Sequence, residues 1–324
     1  MKKVVEIWNQ FNDWMFGWDS PATVAIFRIL LGAVAFGNFL VLSVDFNAWF
    51  TEKGLYPVEF THRWALVNDN GTFREVWRLN LLNDVTSPQL TLAFFILVIL
   101  ACLFTCIGLW TRISQVVMVL GIITLHHRSP DILHSGDTLM RNMAILLMFA
   151  DSGALYSVDR WWKKRKGKVE AEPLMSVWPQ RLIELQLATL YLTTVLHKSM
   201  GSDWLNGTAT WYSMNLREFE RFYMPAFTKS PPAIAFSTYF TLVVELAMAT
   251  LVFAKPLRKW VLLAALALHL GIEYSMNIPF FAFTIISCFV CFYDGSETRT
   301  WVRKAWAKFR RVPVPEAAVA EAGN

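Results

Sequence analysis

The sequence predicts an all-α fold, a polytopic transmembrane bundle of about eight spans with an N-terminal interfacial helix. Composition is the first reason: the 324 residues are 55% hydrophobic and 17% charged, more uncharged surface than a soluble domain of this length needs. The second is distribution, because the charged residues cluster between long apolar runs. The third is that the basic clusters recur on alternate connections, as the topology of a multi-pass protein requires.

Residues 1–20 lack the unbroken apolar stretch of a signal peptide. Val4, Ile7, Trp8, Phe11, Trp14 and Met15 recur instead at helical spacing among polar residues, which predicts an amphipathic helix lying on the membrane surface. After the start signal Asp19-Ser20-Pro21, a first span runs from about Ala22 to Val44 and contains Arg28, an embedded charge that needs a partner. A polar loop, 45–88, follows, with a turn cluster at Asn68-Asp69-Asn70-Gly71. Spans two and three, Leu90–Trp110 and Ile113–Leu125, are joined by Thr111-Arg112. A polar segment, His126 to Asp137, leads to a fourth apolar run, Thr138–Ala150, short for a full crossing at 1.5 Å per residue. The basic cluster 160–168 precedes a fifth span, Arg181–Lys198, and a second long loop runs from Ser199 to Ser230. Spans six, seven and eight end near Ala254, Met276 and Tyr293. The domain reading is an interfacial helix at 1–20, a transmembrane domain at 21–296, and a basic then disordered tail at 297–324.

An even number of spans puts both termini on one side. Assigning that side to the cytoplasm brings Lys2-Lys3, Arg112, the 160–168 and 255–259 clusters and the basic tail inside, and the two long mixed-charge loops outside. The expected location is the plasma membrane, with the lipid bilayer as the first partner. The net charge of +5 sits in loops flanking apolar runs, so nucleic acid is not an expected partner. Cys102, Cys106, Cys288 and Cys291 lie inside apolar runs and read as core residues. No metal is expected, since no His-x-x-x-His or His-Glu-x-x-His spacing occurs. A phosphate-binding glycine loop and a nucleophile elbow are also missing.

The main chemical candidate is Lys198, an ammonium at the end of an apolar run, followed by Gly201, Asp203, Trp204 and Gly207. Burying an unpaired charge costs at least a few kcal/mol, so the residue either snorkels to the interface or has a function. The topology places His126, His127, Asp131, His134, Asp137, Lys198, Asp203, Glu273 and Asn277 at the outer ends of spans three, five and seven. Spacing of four puts Asp137 and Arg141 on one helix face, and likewise His269 and Glu273. Glu184, Glu245 and Arg28 are further embedded charges that could pair, either structurally or in a site. A lysine at the edge of a low-dielectric pocket can serve as a neutral amine base for an apolar substrate with an acidic hydroxyl, a description that fits a quinol.

Several stretches carry a resemblance. They are Phe27-Arg28-Ile29; Gly136-Asp137 with Arg141; Asp151 and then Tyr156-Ser157-Val158-Asp159; Gln186, Tyr191 and Lys198 with Asp203-Trp204 and Gly207; and His269 with Asn277 and Phe280. In this order the chain resembles the HTTM (horizontally transferred transmembrane) domain, the membrane portion of vitamin K-dependent gamma-carboxylase. The resemblance implies a reduced, vitamin K-like quinone as cofactor, Lys198 as its base, and a supporting role for His134 or its neighbour Asp137. It further implies Arg141, Trp204, His269 and Asn277 as residues lining the quinol. Lys198 stands one residue farther from Asp203-Trp204 than the carboxylase base does, and the chain stops after span eight, where the carboxylase continues into a luminal portion. That second difference argues against a propeptide-bearing protein as substrate, and one expectation is a quinol-dependent oxidation or carboxylation with Lys198 as base, with a quinone-like lipid and a protein partner or substrate on the outer face as the expected partners. The other is a non-catalytic membrane scaffold that binds lipid or a partner protein with its outer loops. A transporter is disfavoured, because no span is visibly broken at mid-membrane in paired positions.

Overall fold

The computed structural model describes residues 2–64, 66–69, 72–75, 77–168 and 172–310. In hydrocarbon a backbone must satisfy its own hydrogen bonds, and the apolar runs do so as helices. Proline is confined to places that do not interrupt them: Pro88, Pro179, Pro231, Pro232 and Pro256 all fall in the first turn of a helix. In chain order the α-helices are α1 (Lys2–Phe16), α2 (Ala22–Leu42), α3 (Phe46–Phe50), α4 (Val58–Trp64), α5 (Pro88–Ile107), α6 (Thr111–Arg128), α7 (Ser135–Leu147) and α8 (Val158–Arg165). They continue with α9 (Trp178–Lys198), α10 (Ser202–Leu205), α11 (Ala209–Asn215), α12 (Pro231–Ala249), α13 (Lys255–Ser275), α14 (Phe281–Cys288) and α15 (Gly295–Arg310). Four short strands accompany them: β1 (Trp18–Asp19) pairs antiparallel with β4 (Met175–Ser176), and β2 (Leu66–Asp69) with β3 (Thr72–Glu75).

The fold is therefore all-α, and three helices, α2, α5 and α12, combine the length and apolarity needed to cross a bilayer. Helices α6, α9 and α13 have 18 to 21 residues but lower hydropathy. The reason is visible in α9, where Gln180, Arg181 and Glu184 are buried polar residues turned toward protein. Helix α7 has 13 residues, and α14 has 8 before a 3₁₀ turn, Phe289–Phe292.

The chain forms two compact units. One runs from Val24 to Pro173; the other joins the segment ending at Thr23 to the residues from Leu174 onward.

In the first unit, α5 begins with Ser87 capping the Leu90 amide and ends at Gly108 in the left-handed conformation (φ 72°). Only glycine suits Gly108: a Cβ there would collide with Ser157 and lie 2.8 Å from Arg28 Nη1. Gly32 lets α2 approach α5, since a Cβ would meet the Cys106 amide nitrogen at 2.7 Å. Phe39, Phe46 and Phe50 gather around Phe95 with ring centroids 5.2 to 6.1 Å away, anchoring the start of the 45–88 loop. That loop is more ordered than its polar composition predicts, with α3, α4 and the β2–β3 ladder within it. Asn70-Gly71, the predicted turn between β2 and β3, lies outside the described residues.

In the second unit, α1 is tied down by Arg181 at the start of α9, whose Nε donates to the Trp14 carbonyl while the guanidinium lies 5.3 Å from the Trp14 ring. Arg181 also pairs with Glu184 (2.7 Å) and Asp294 (3.1 Å). Burial pushes the Asp294 carboxyl up, yet the Arg181 hydrogen bond and the charges of Arg181, Lys255 and Arg258 outweigh it and hold the group below its usual range. Asp19 accepts from the Ser296 amide at 3.1 Å, and Thr23 donates to the Tyr293 carbonyl at 2.9 Å, so the entry to α2 is pinned to the start of α15. The basic part of the predicted tail is thus helical in α15; its Ala/Glu-rich end lies outside the described residues.

Candidate functional site

The polar residues that the sequence singles out divide between the two units. Lys198, Trp204, His269 and Asn277 belong to the second, whereas His134, Asp137 and Arg141 belong to the first.

Lys198 is the last residue of α9 and is half-buried. Its Nζ forms an ion pair with Glu245 of α12, whose other carboxylate oxygen accepts from Thr194 Oγ1 at 3.3 Å. The same ammonium lies 4.7 Å from the centroid of Trp204, which α10 brings back over the end of α9 through Trp204 N–H to Gly201 carbonyl bonding. One helix turn and more below, the fully buried Tyr191 hydroxyl meets His269 Nε2 at 2.7 Å. The imidazole is enclosed by Phe281 and Phe289, and its Nδ1 has no hydrogen-bond partner among the described residues. A buried nitrogen without a partner is expensive, which sets this atom apart from the satisfied polar groups around it. Lys198, Glu245, Trp204, Tyr191 and His269 form one polar cluster walled by apolar helices.

The spacing of His269 and Glu273 suggests a pair, but the helix turns them to different partners. Glu273 pairs with Arg221 from the 199–230 loop, and Arg221 Nη2 also donates to Asn277 Oδ1 at 3.3 Å. Asn277 N–H donates to the Phe219 carbonyl at 2.6 Å, and Glu220 bridges Met276. Asn277 therefore fastens the 199–230 loop to the α13–α14 link. Asp203 stays exposed and accepts from Thr208.

In the first unit His134 is the N-cap of α7. Its Nδ1 accepts from the Gly136 amide at 3.0 Å, while Asp137 Oδ2 accepts from the His134 amide at 3.0 Å, a reciprocal capping box. Because Nδ1 accepts, the ring proton sits on Nε2, 3.2 Å from Asp137 Oδ2. Asn38 Nδ2 reaches Asp137 Oδ1 at 3.4 Å. The hydrogen-bonding partner of Asp137 within α7 is thus the His134 ring and amide, and Arg141, which the i,i+4 spacing suggests, is half-buried one turn away.

Arg28 and the Tyr156–Asp159 stretch of the resemblance build a second polar centre in the first unit. Arg28 is fully buried and aims its guanidinium at main-chain carbonyls: Thr105 (2.5 Å), Cys106 (2.7 Å), Tyr156 (2.6 Å) and Ser152 (3.2 Å). Two of these close α5, so the charge rests on the negative end of a helix dipole. Asp159 caps the next helix, accepting from the Trp110 amide (2.9 Å), the Thr111 amide (2.8 Å) and Thr111 Oγ1 (2.7 Å). Phe27-Arg28-Ile29 and Tyr156-Ser157-Val158-Asp159 thus lock the α5–α6 hairpin.

Sequence reasoning named Glu245 as an embedded charge without its partner, and overlooked Arg221 and the Tyr191–His269 bond. For Glu245 the signal was available: a carboxylate in an apolar helix needs a cation, and Lys198 closes the preceding long apolar run.

No curated protein and no solved structure matches the chain. The HTTM domain matches residues 18–296, nearly the whole chain and every residue of the two polar centres. This is a membrane protein, and it belongs to the HTTM domain family.

Proposed function

We propose that the Lys198–Glu245 pair is the acid–base centre of a quinol-dependent oxidation or carboxylation, in a chain of about eight spans with both termini in the cytoplasm and the pair toward the outer face of the plasma membrane. The observation that carries this reading is the cluster itself: an ammonium, a carboxylate, an indole face and an orphaned imidazole nitrogen within apolar walls. These groups fit a reduced quinone. Trp204 offers a ring face, and His269 Nδ1 offers a hydrogen-bonding atom to a hydroxyl or carbonyl.

When bound, a reduced quinone supplies an acidic aromatic hydroxyl and two reducing equivalents. The chain's own part concerns protons. As the base of this reading, the Lys198 amine takes a proton from a hydroxyl held beside Trp204. Glu245 then keeps the resulting ammonium in place, and Tyr191 fixes the orientation of His269. The test is to extract lipids from the purified protein and assay turnover with a reduced quinone. A co-purifying quinone, retained by Lys198→Ala while turnover disappears, supports the reading; no quinone and no turnover in either protein overturns it.

A second reading is a non-catalytic scaffold. It is favoured by the 199–230 loop, which leaves Trp211, Tyr212, Phe222, Tyr223 and Phe227 exposed. It requires loop substitutions to abolish a complex with a partner protein or lipid while Lys198→Ala leaves that complex intact.

A further inference from the structure

At the end of the first unit where Arg28 and Asp159 lock the α5–α6 hairpin, a pocket of about 370 Å³ opens between that hairpin and α8. Four cations line it, Arg112, Arg160, Lys163 and Lys168, against two carboxylates, Asp151 and Asp159. Neither carboxylate is free to quench the excess. Asp159 turns its oxygens to the two amides and the hydroxyl at the start of α6, its charge also acts on Arg28, and Asp151 faces Arg112 at 3.5 Å, so four cations against two carboxylates leave the pocket net positive. Arg112 is further committed to the Met148 carbonyl at 2.8 Å. Arg160, Lys163 and Lys168 therefore carry the pocket's positive charge.

The surroundings say where an anion would come from. Helix α8 sets Trp161 and Trp162 at the surface, 52% and 43% exposed, and Arg165 stacks on Trp161 at 4.8 Å. Tryptophan beside lysine and arginine, next to the ends of apolar helices, is the composition of a segment at headgroup depth. A guanidinium fork with two ammonium point charges suits a phosphate oxygen cluster better than a single carboxylate.

We propose that this pocket binds the phosphate of an anionic phospholipid headgroup. The site requires only that the chain lie in a membrane; it is independent of any chemistry at Lys198. Its charges sit in the 160–168 cluster that the positive-inside rule assigns to the cytoplasmic leaflet, where anionic lipid is drawn to basic segments.

The experiment titrates the purified full chain with phosphatidic acid, phosphatidylcholine and inorganic phosphate, and reads lipid occupancy by native mass spectrometry. Two charge-matched variants are compared: Arg160→Gln with Lys163→Gln and Lys168→Gln in the pocket, and Lys164→Gln with Arg165→Gln and Lys166→Gln beside it. Phosphatidic acid is expected to bind tighter than phosphatidylcholine, with about a fivefold loss for each pocket charge removed, hence about a hundredfold for the pocket variant, and a smaller loss for its neighbour. Displacement of the lipid by inorganic phosphate would assign the same site to free phosphate; failure to displace it assigns the site to lipid. Equal losses in the two variants mean a diffuse basic surface and overturn the proposal, as does equal binding of the two lipids.

Discussion

Lys198 at the end of α9 is ion-paired with Glu245 of α12, 47 residues later, and neither charge has another charged partner in the cluster. A lysine at a span end could simply reach the interface. Here it turns inward, to a carboxylate that is itself buried, and takes an indole face as its second contact.

That pairing separates structural from chemical importance. Removing one member of a buried pair strands the other, at a cost of about 3 kcal/mol. Glu245→Leu and Lys198→Met are each expected to lower the thermal midpoint in detergent, and the double substitution to recover most of the loss. Quinol turnover, by contrast, is expected to vanish in Lys198→Met and to stay absent in the double variant. Recovery of turnover in the double variant would remove Lys198 from the chemistry.

Among the described residues no carboxylate forms a salt bridge with Arg28, and its worth lies in geometry. Four carbonyl oxygens on three segments converge on one planar fork. A lysine cannot match that fork, and Arg28→Lys is expected to destabilise the first unit by about 2 kcal/mol, Arg28→Met by more. Gly108→Ala attacks the same point from the other side, combining a φ of 72° with a methyl pressed on Ser157 and the guanidinium. Chemical unfolding that leaves Gly108→Ala as stable as the wild type would contradict the lock.

The extent to which this was legible in the sequence follows from what each signal encodes. Apolar runs and prolines encode helices, and α2 and α5 begin within two residues of the predicted starts. Local spacing encodes caps and same-face neighbours, which is why Asp137 was noticed, but it does not encode which way a face turns. Asp137–Arg141 and His269–Glu273 therefore appear as pairs in sequence, whereas the structure gives Asp137 to His134 and Glu273 to Arg221. Arg28 was the hardest to read, because its partners are carbonyl groups, and every residue has one. The α3, α4 and β2–β3 elements were hidden because a polar loop held down by the Phe39–Phe95 cluster has no periodicity of its own.

Asp294 makes a pH prediction with a definite sign. Its folded carboxyl lies below the usual range although burial opposes this, because Arg181, Lys255 and Arg258 favour the charged form. The stabilisation is therefore complete above the unfolded value of about 4 and is lost as pH falls through the folded value. The carboxylate is about a quarter exposed, so the effect is expected to be below about 1 kcal/mol. Thermal midpoints should be flat from neutral to mildly acidic pH, then fall in acid; Asp294→Asn should start lower and fall less. An unchanged acid limb in Asp294→Asn would show that the Arg181 contact contributes nothing to folding.

The last prediction concerns the crossings themselves. Helices α2, α5 and α12 are apolar enough to span unaided, whereas α6, α9 and α13 dilute their hydropathy with buried polar residues such as Gln115, Glu184 and His269. A helix in a bundle can cross with such residues if they face protein, so hydropathy alone undercounts spans. If all of them cross, together with α7 and with α14 and its 3₁₀ extension, the 199–230 loop lies outside while Arg165 and Lys259 lie inside. Single cysteines replacing Asn206, Arg165 and Lys259, placed in a background with the four native cysteines changed to serine or alanine, test this with an impermeant thiol reagent on intact cells. Position 206 is expected to label, and 165 and 259 only after lysis. Labelling of 206 and 259 on the same side would mean that the chain between them crosses an even number of times, whereas α12 is the single crossing assigned there, and the outward placement of Lys198 would fall with it.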